Sequence, residues 1–291
     1  MKQKNSSMKF TAIIFLILFI IMLAADFEGL ALADYSWPEA VSRSKPWTRW
    51  WWMGSAVSKG GIENQLELLS ESGIGGVEIT TIYGVDGFEN ESIDYLSREW
   101  VEIANYTIEK ASELGMGVDM PTGSGWPFGG KWVNEQDGDT KVVMERFEVG
   151  DGEKFEKEFD VTELKAVRAY GDDGKVVDLY ELVNSDGVLS WEADGDYKIY
   201  VLGARGTGFK VKRAGPGGEG LVVNPFSEKA VENYLANYGA RIGNSFKGLR
   251  SWFHDSFEYV GNFSRGFLSE FERRRGYDLR EHLDAFYGDA D

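Results

Sequence analysis

The chain has 291 residues, with 31 Lys and Arg against 48 Asp and Glu, 2 His and no Cys, giving a net charge of −17. So acidic a molecule disfavours the phosphate backbones of nucleic acid and anionic membrane surfaces, whose binding relies on clustered cations, and leaves neutral ligands admissible; the one basic cluster, Arg273-Arg274-Arg275, reads as the solvated end of a helix. The absence of cysteine excludes both a disulfide framework and a lipid-modified N-terminal cysteine.

Lys2, Lys4 and Lys9 precede an apolar run from Phe10 to Ala25, and the small-residue sequence Ala31-Leu32-Ala33 follows before Asp34. This is the layout of a secretory signal peptide over 1–33, with cleavage after Ala33 or Ala25. It predicts a secreted or periplasmic protein with no membrane attachment once the leader is cut. An uncleaved anchor is the alternative, although the run is short for a span of about 20 residues.

From Thr48 onward, apolar strands alternate with amphipathic helices, the order that builds a parallel sheet covered by helices. Thr48–Val57 reads as the first strand. Ile62, Leu66 and Leu69 recur at helical spacing, and Gly73 supplies a left-handed end. The β-branched run Val77–Tyr83 is the second strand. Ser97 is an N-cap for a helix bearing Trp100, Ile103, Thr107, Ala111 and Leu114, closed by Gly115. Met116–Met120 gives the third strand.

Between 140 and 212 the alternation breaks into short strands and turns, among them Gly171-Asp172-Asp173-Gly174. Leu189-Ser190-Trp191, Asp194-Gly195 and the alternating Tyr197, Ile199 and Val201 predict a β-hairpin. Ser227 then caps a helix through Ile242, Gly248–Phe253 is the fourth strand, and helices over Leu268–Arg275 and Leu279–Tyr287 end the chain. The fold class expected is α/β: a partial (β/α)8 TIM-type barrel of about four βα units carrying a small antiparallel β insertion. Its parts are 34–139, the first part of the barrel; 140–212, the insertion; and 213–291, a continuation of the barrel. An incomplete barrel leaves a sheet edge open, so a longer parent chain is expected.

Reactive groups of barrel enzymes lie at strand C-termini and in the loops after them. By that rule Asp119, His254, Asp255 and Glu258 are candidates, with Glu78 near the end of the second strand. Trp50, Trp51 and Trp126 offer flat faces with a polar edge, suited to the wall of a sugar site. Each has a plainer reading. The tryptophans can fill a core, Glu78 can accept a hydrogen bond inside the sheet, Asp255 can cap a turn, and His254 can be a structural group. Gly123, Gly125 and Gly215–Gly220 follow neither a P-loop nor a dinucleotide fingerprint, and the segment around Ser124 lacks a nucleophile elbow. These glycines are expected to let the backbone approach a sugar closely.

The segments Arg49–Gly54, Gly75–Ile79, Met120–Gly130, Lys212–Gly220 and Asp255–Glu258, in this order, resemble the N-terminal region of the α-L-rhamnosidases of glycoside hydrolase family 106, from about Pro46 to the C-terminus. The resemblance implies a carbohydrate-processing enzyme that removes terminal α-L-rhamnose from polysaccharides or rhamnosides. It further implies an inverting mechanism using two glutamates, with a calcium ion at the site. Glu258 matches a family carboxylate and is the candidate catalytic residue, as general base or as a ligand for sugar or calcium. Glu219 joins Trp50, Trp51, Glu78, Asp119, Trp126, His254 and Asp255 as a substrate-binding candidate. The general acid is expected on a later strand, so the chain alone is expected to be weakly active or inactive. A non-catalytic carbohydrate-binding protein and a glycosidase for another sugar are the alternatives; fold alone does not choose among them.

Overall fold

A computed structural model describes residues 16–17, 37–254 and 257–289. The chain divides into two compact units, Met1–Ala40 and Val41–Asp291. Apart from residues 16 and 17, the leader expected over 1–33 lies outside the described residues, as does Asp255. No helix among the described residues is long and apolar enough to cross a membrane.

The second unit is a mixed α/β fold with one parallel and several antiparallel sheets. Strands β1 (Trp47–Met53), β2 (Gly76–Ile82), β3 (Gly117–Pro121) and β12 (Ser251–Phe253) form a four-stranded sheet in the order β1-β2-β3-β12. Every pair in it is parallel. Helices α1 (Lys59–Glu71) and α2 (Arg98–Glu113) make the crossovers. Both N-caps are serines, of which the sequence predicts Ser97: Ser58 Oγ accepts from Gly61 N at 3.2 Å, and Ser97 Oγ accepts from Trp100 N at 3.1 Å. Each satisfies an otherwise orphaned helix donor. Gly73 (φ +83°) and Gly115 (φ +66°) follow the two helix ends in the left-handed conformation.

Because side chains alternate across a strand, each strand shows one face to the helices. Trp52, Val77, Ile79, Val118 and Met120 pack there against Ile62, Leu66, Trp100, Ile103, Ala104, Ile108 and Ala111. Each large apolar side chain buried this way contributes about 1.5–3 kcal/mol. Trp100 also donates its indole N–H to Ser55 Oγ at 2.9 Å, tying α2 to the turn after β1. That turn ends the strand at Met53 rather than Val57, since Gly54 and Ser55 both take positive φ.

The remaining β structure is antiparallel. Strands β5 (Thr140–Val149), β7 (Leu164–Gly171), β8 (Val176–Asp178) and β10 (Tyr197–Gly206) form a sheet in the order β5-β10-β7-β8. A second ladder pairs β6 (Lys154–Glu158) with β9 (Val188–Glu192). Val149, Leu164, Val167, Leu179, Leu189, Ile199 and Val201 form one core between them.

One expectation fails here. The segments on either side of Asp194-Gly195 do not pair with each other: β9 joins β6, whereas β10 joins β5 and β7. The Asp-Gly turn is a corner between sheets, held by Asp194, which accepts from Tyr197 Oη at 2.7 Å and Lys175 Nζ at 2.6 Å. Alternation reported correctly that both segments bury one face, but not that they bury it from opposite sides.

The C-terminal helices are present and pack on the antiparallel sheet. A 3-10 turn (Leu279–His282) and α5 (Leu283–Tyr287) cover the outer face of the antiparallel sheet, where Leu283 packs on Ala166, Tyr200 and Leu202, joined by Leu268 of α4 (Phe267–Arg275). Tyr170 Oη accepts from Leu283 N at 2.8 Å, and Tyr287 meets the Tyr200 ring edge-on at 5.6 Å. Aliphatic residues at helical spacing signal a buried face without saying which sheet buries it.

Candidate active site

The face of the parallel sheet opposite the helices is polar. Its register aligns Arg49 with Glu78, Glu78 with Asp119, and Asp119 with Ser251. Beneath this row lies Trp47, whose ring occupies the space that a side chain at Gly76 or Gly117 would need; an added Cβ at either would stand 2.4 Å from it. Above it, one residue pair further along the strands, come Trp51, Thr80, Pro121 and Phe253.

The row is internally paired. Arg49 Nε donates to Glu78 Oε1 at 2.6 Å. Asp119, almost wholly buried, is held by Arg250, whose Nε donates to Oδ1 at 2.9 Å and whose Nη2 donates to Oδ2. The Arg250 guanidinium lies 4.1 Å from the centre of the Trp47 ring, and that of Arg49 lies 5.2 Å from Trp51 and 5.6 Å from Phe253. Charges on this face are thus compensated in pairs, with the exposed guanidinium groups stacked on aromatic rings and the buried Asp119 carboxylate held by a two-bond partner.

Two loops close over the C-terminal edge of the sheet. The first, Thr122–Phe128, follows β3 and contains a cis Trp126-Pro127 peptide. The second, Lys212–Gly220, precedes β11 (Leu221–Val222), which pairs with β4 (Gly129–Gly130). Trp126 and Lys212 exchange both backbone hydrogen bonds, N to O at 3.0 Å and 2.8 Å. Gly215 N donates to Ser124 Oγ at 2.6 Å, Gly125 N to Thr81 O at 3.0 Å, and Tyr83 N to Arg213 O at 3.1 Å. The glycines serve this seam: a Cβ on Gly125 (φ +67°) would sit 2.2 Å from Lys212 O, and one on Gly218 would sit 2.6 Å from Ser124 Cβ. The expectation that they clear room for a sugar is therefore replaced by a structural reason, the close approach of two backbones.

The seam and the strand ends it covers carry Trp51, Trp126, His254 and Glu258. Trp51 and Trp126 face each other at 6.5 Å, with planes inclined at 48°. Lys212, the backbone partner of Trp126, donates its Nζ to Glu258 Oε2 at 2.8 Å. His254 lies 4.1 Å from the Phe128 ring and 6.2 Å from Tyr259. Burial pushes the Tyr259 hydroxyl up to about 12, so it stays protonated there.

Trp50 is the exception. It points to the helix face, packs on the core with its ring 5.9 Å from Trp52, and donates Nε1 to Gln65 Oε1 at 2.8 Å. The period-2 alternation of a strand separates it from Trp51 and leaves it no access to the rim. Glu219 is exposed in the second loop. The aromatic and cationic neighbours Arg49, Tyr83, Lys212, Arg213 and Phe253 were not among the candidates, although alternation along β1 puts Arg49 on the face of Trp51.

Among the described residues no group of three or more His, Cys, Asp or Glu is placed to hold a metal ion, and the nearest carboxylates are engaged by Arg49, Arg250 and Lys212. The paired carboxylates among the described residues do not by themselves make a calcium site.

Comparison with known proteins decides the kinship of this arrangement. The family model of the glycoside hydrolase 106 group, described as alpha-L-rhamnosidase, matches residues 38–166 and 158–290. The chain belongs to glycoside hydrolase family 106. A Formosa agariphila protein bearing the name "Putative beta-glucuronidase" is 26% identical over 333 residues, covering 93% of this chain and 28% of its own length. The solved rhamnosidase from Novosphingobium sp. PP1Y superposes with a TM-score of 0.63 at 18% identity, over 85% of this chain and 42% of that one, a likeness of fold. The family 106 chain therefore spans less than half the length of either relative.

Proposed function

We propose that this family 106 chain supplies the sugar-binding half of a glycosidase active site, for a terminal α-L-rhamnosyl residue seated on the polar face of the parallel sheet. One observation carries the reading: Trp51 and Trp126 oppose each other above the Arg49–Glu78 and Arg250–Asp119 pairs, with Glu258 fastened to the same seam through Lys212. Aromatic faces take the apolar face of a deoxyhexose, and flanking carboxylates and guanidinium groups take its hydroxyls.

Four parallel strands in consecutive order, with helices on one face, are what the opening half of a (β/α)8 barrel requires, and the polar face is then its interior. In this reading 34–139 and the return after 213 belong to the barrel, while 140–212 is an insertion between them. An inverting mechanism needs one carboxylic acid to protonate the leaving oxygen and a second carboxylate to activate water across the ring. Glu258, accepting from Lys212, suits the second task; the proton donor is assigned to a further carboxylate. Calcium remains an implication of the family, and secretion one of the leader.

A glucuronide is the second reading, favoured by the name of the Formosa relative. Equilibrium binding of aryl α-L-rhamnoside, β-D-glucuronide and β-D-glucoside to the purified chain distinguishes the two. Saturable binding of the rhamnoside, with aryl release slow and lowered further by Glu258→Gln, is the expected result; removing a general base typically costs about 10²–10⁴ in rate. Preference for the glucuronide selects the second reading, and binding of none refutes both.

A further inference from the structure

We propose that Arg213 determines specificity by receiving an oxyanion of the glycan, a uronate carboxylate or a sulfate ester, beside the Trp51–Trp126 pair; this rests on the carbohydrate reading above. Three observations point there. First, the cations around the site are otherwise committed: Arg49 to Glu78, Arg250 to Asp119 and Lys212 to Glu258. In a chain with 48 acidic residues, Arg213 has no carboxylate partner among the described residues.

Second, Arg213 is held in place at some conformational expense. Its backbone takes φ +54°, a region that costs a non-glycine residue roughly 1 kcal/mol or more. Its carbonyl accepts from Tyr83 N, and the preceding residue is locked to Trp126 by two backbone bonds.

Third, the guanidinium is stacked rather than loose, with its carbon 5.2 Å from the Tyr83 ring centre and 6.0 Å from that of Trp126. Stacking occupies the faces of the planar cation and leaves the N–H fork at its edge for a bidentate acceptor. A ligand group reaching that fork would lie alongside the Trp126 ring, at the margin of the proposed pocket. A single neutral deoxyhexose offers nothing ionic there, so the oxyanion belongs to an adjoining sugar or to a substituent.

The test uses the whole chain at low ionic strength and three disaccharides, read by tryptophan fluorescence: rhamnosyl-glucuronate, its carboxyl-reduced rhamnosyl-glucose, and the 6-sulfate ester of the latter. At least one charged ligand should bind about tenfold more tightly than the neutral one, a margin typical of one charge-assisted bond. Arg213→Met should erase that advantage and leave neutral binding unchanged, and Arg213→Lys should keep part of it. Preference for uronate or for sulfate identifies the oxyanion. Equal binding of all three, or a charge preference that survives Arg213→Met, overturns the proposal while sparing the carbohydrate reading; binding of none overturns both.

Discussion

Gly125 states at the scale of one residue what the glycine-rich motifs are for. Its φ of +67° disfavours any side chain, and the carbonyl of Lys212 occupies the place of a Cβ. Gly208 has a similar φ of +65° with open space around it. Gly125→Ala should therefore cost clearly more than Gly208→Ala, about 3 kcal/mol or more against about 1 kcal/mol, as urea midpoints would register. Similar losses at the two positions would mean that the loop seam yields freely. Only half of this was legible beforehand. Glycine runs announce backbone that must come close to something, but whether that is a ligand or a second loop depends on residues 122–128 meeting 212–220, roughly 90 positions along the chain. Trp50 is the converse lesson: the strand was readable, and applying its alternation would have sent Trp50 to the core and Arg49 to the site.

Among the elements, those with a local cause were legible and those fixed by partners were not. The capping residues Ser97 and Ser227 and the glycines Gly73 and Gly115 act within a turn of chain, and α2 and α3 (Glu228–Ile242) begin where those serines specify. The separation of β9 from β10, and the docking of residues 279–287 on the antiparallel sheet, depend on contacts about 30 to 110 positions distant. That docking has a pH signature. Burial pushes the hydroxyls of Tyr170 and Tyr200 up to about 12, the latter helped by donation to Asp289. An unfolded tyrosine titrates near 10. The native state therefore holds these protons more tightly: the associated stability is complete below pH 10 and is lost as pH rises toward 12. Urea midpoints should be level to about pH 9.5 and fall between 10 and 12, less steeply in Tyr170→Phe; a Tyr170→Phe profile identical to wild type would contradict the assignment.

Across the molecule, one parallel sheet divides two kinds of chemistry. Its helix face carries Trp52, Trp100 and the aliphatic core; its other face carries ion pairs over Trp47 and aromatics beneath the two seamed loops. The ordered motifs were enough to place the chain in its family and to nominate Trp51, Trp126 and Glu258. Pairing of Asp119 with Arg250 required the alignment of β3 with β12, and that of Glu258 with Lys212 the meeting of two distant loops, neither of which a pattern of residues states. This division predicts that a sugar meets Trp51 and Trp126 but not Trp50. A tryptophan fluorescence titration with methyl α-L-rhamnoside, run on Trp50→Phe, Trp51→Ala and Trp126→Ala, addresses it directly. Loss of about tenfold or more in affinity for Trp51→Ala and for Trp126→Ala, with Trp50→Phe unchanged, is the expected result. Binding that survives both rim substitutions and fails in Trp50→Phe would place the sugar on the other side of the sheet.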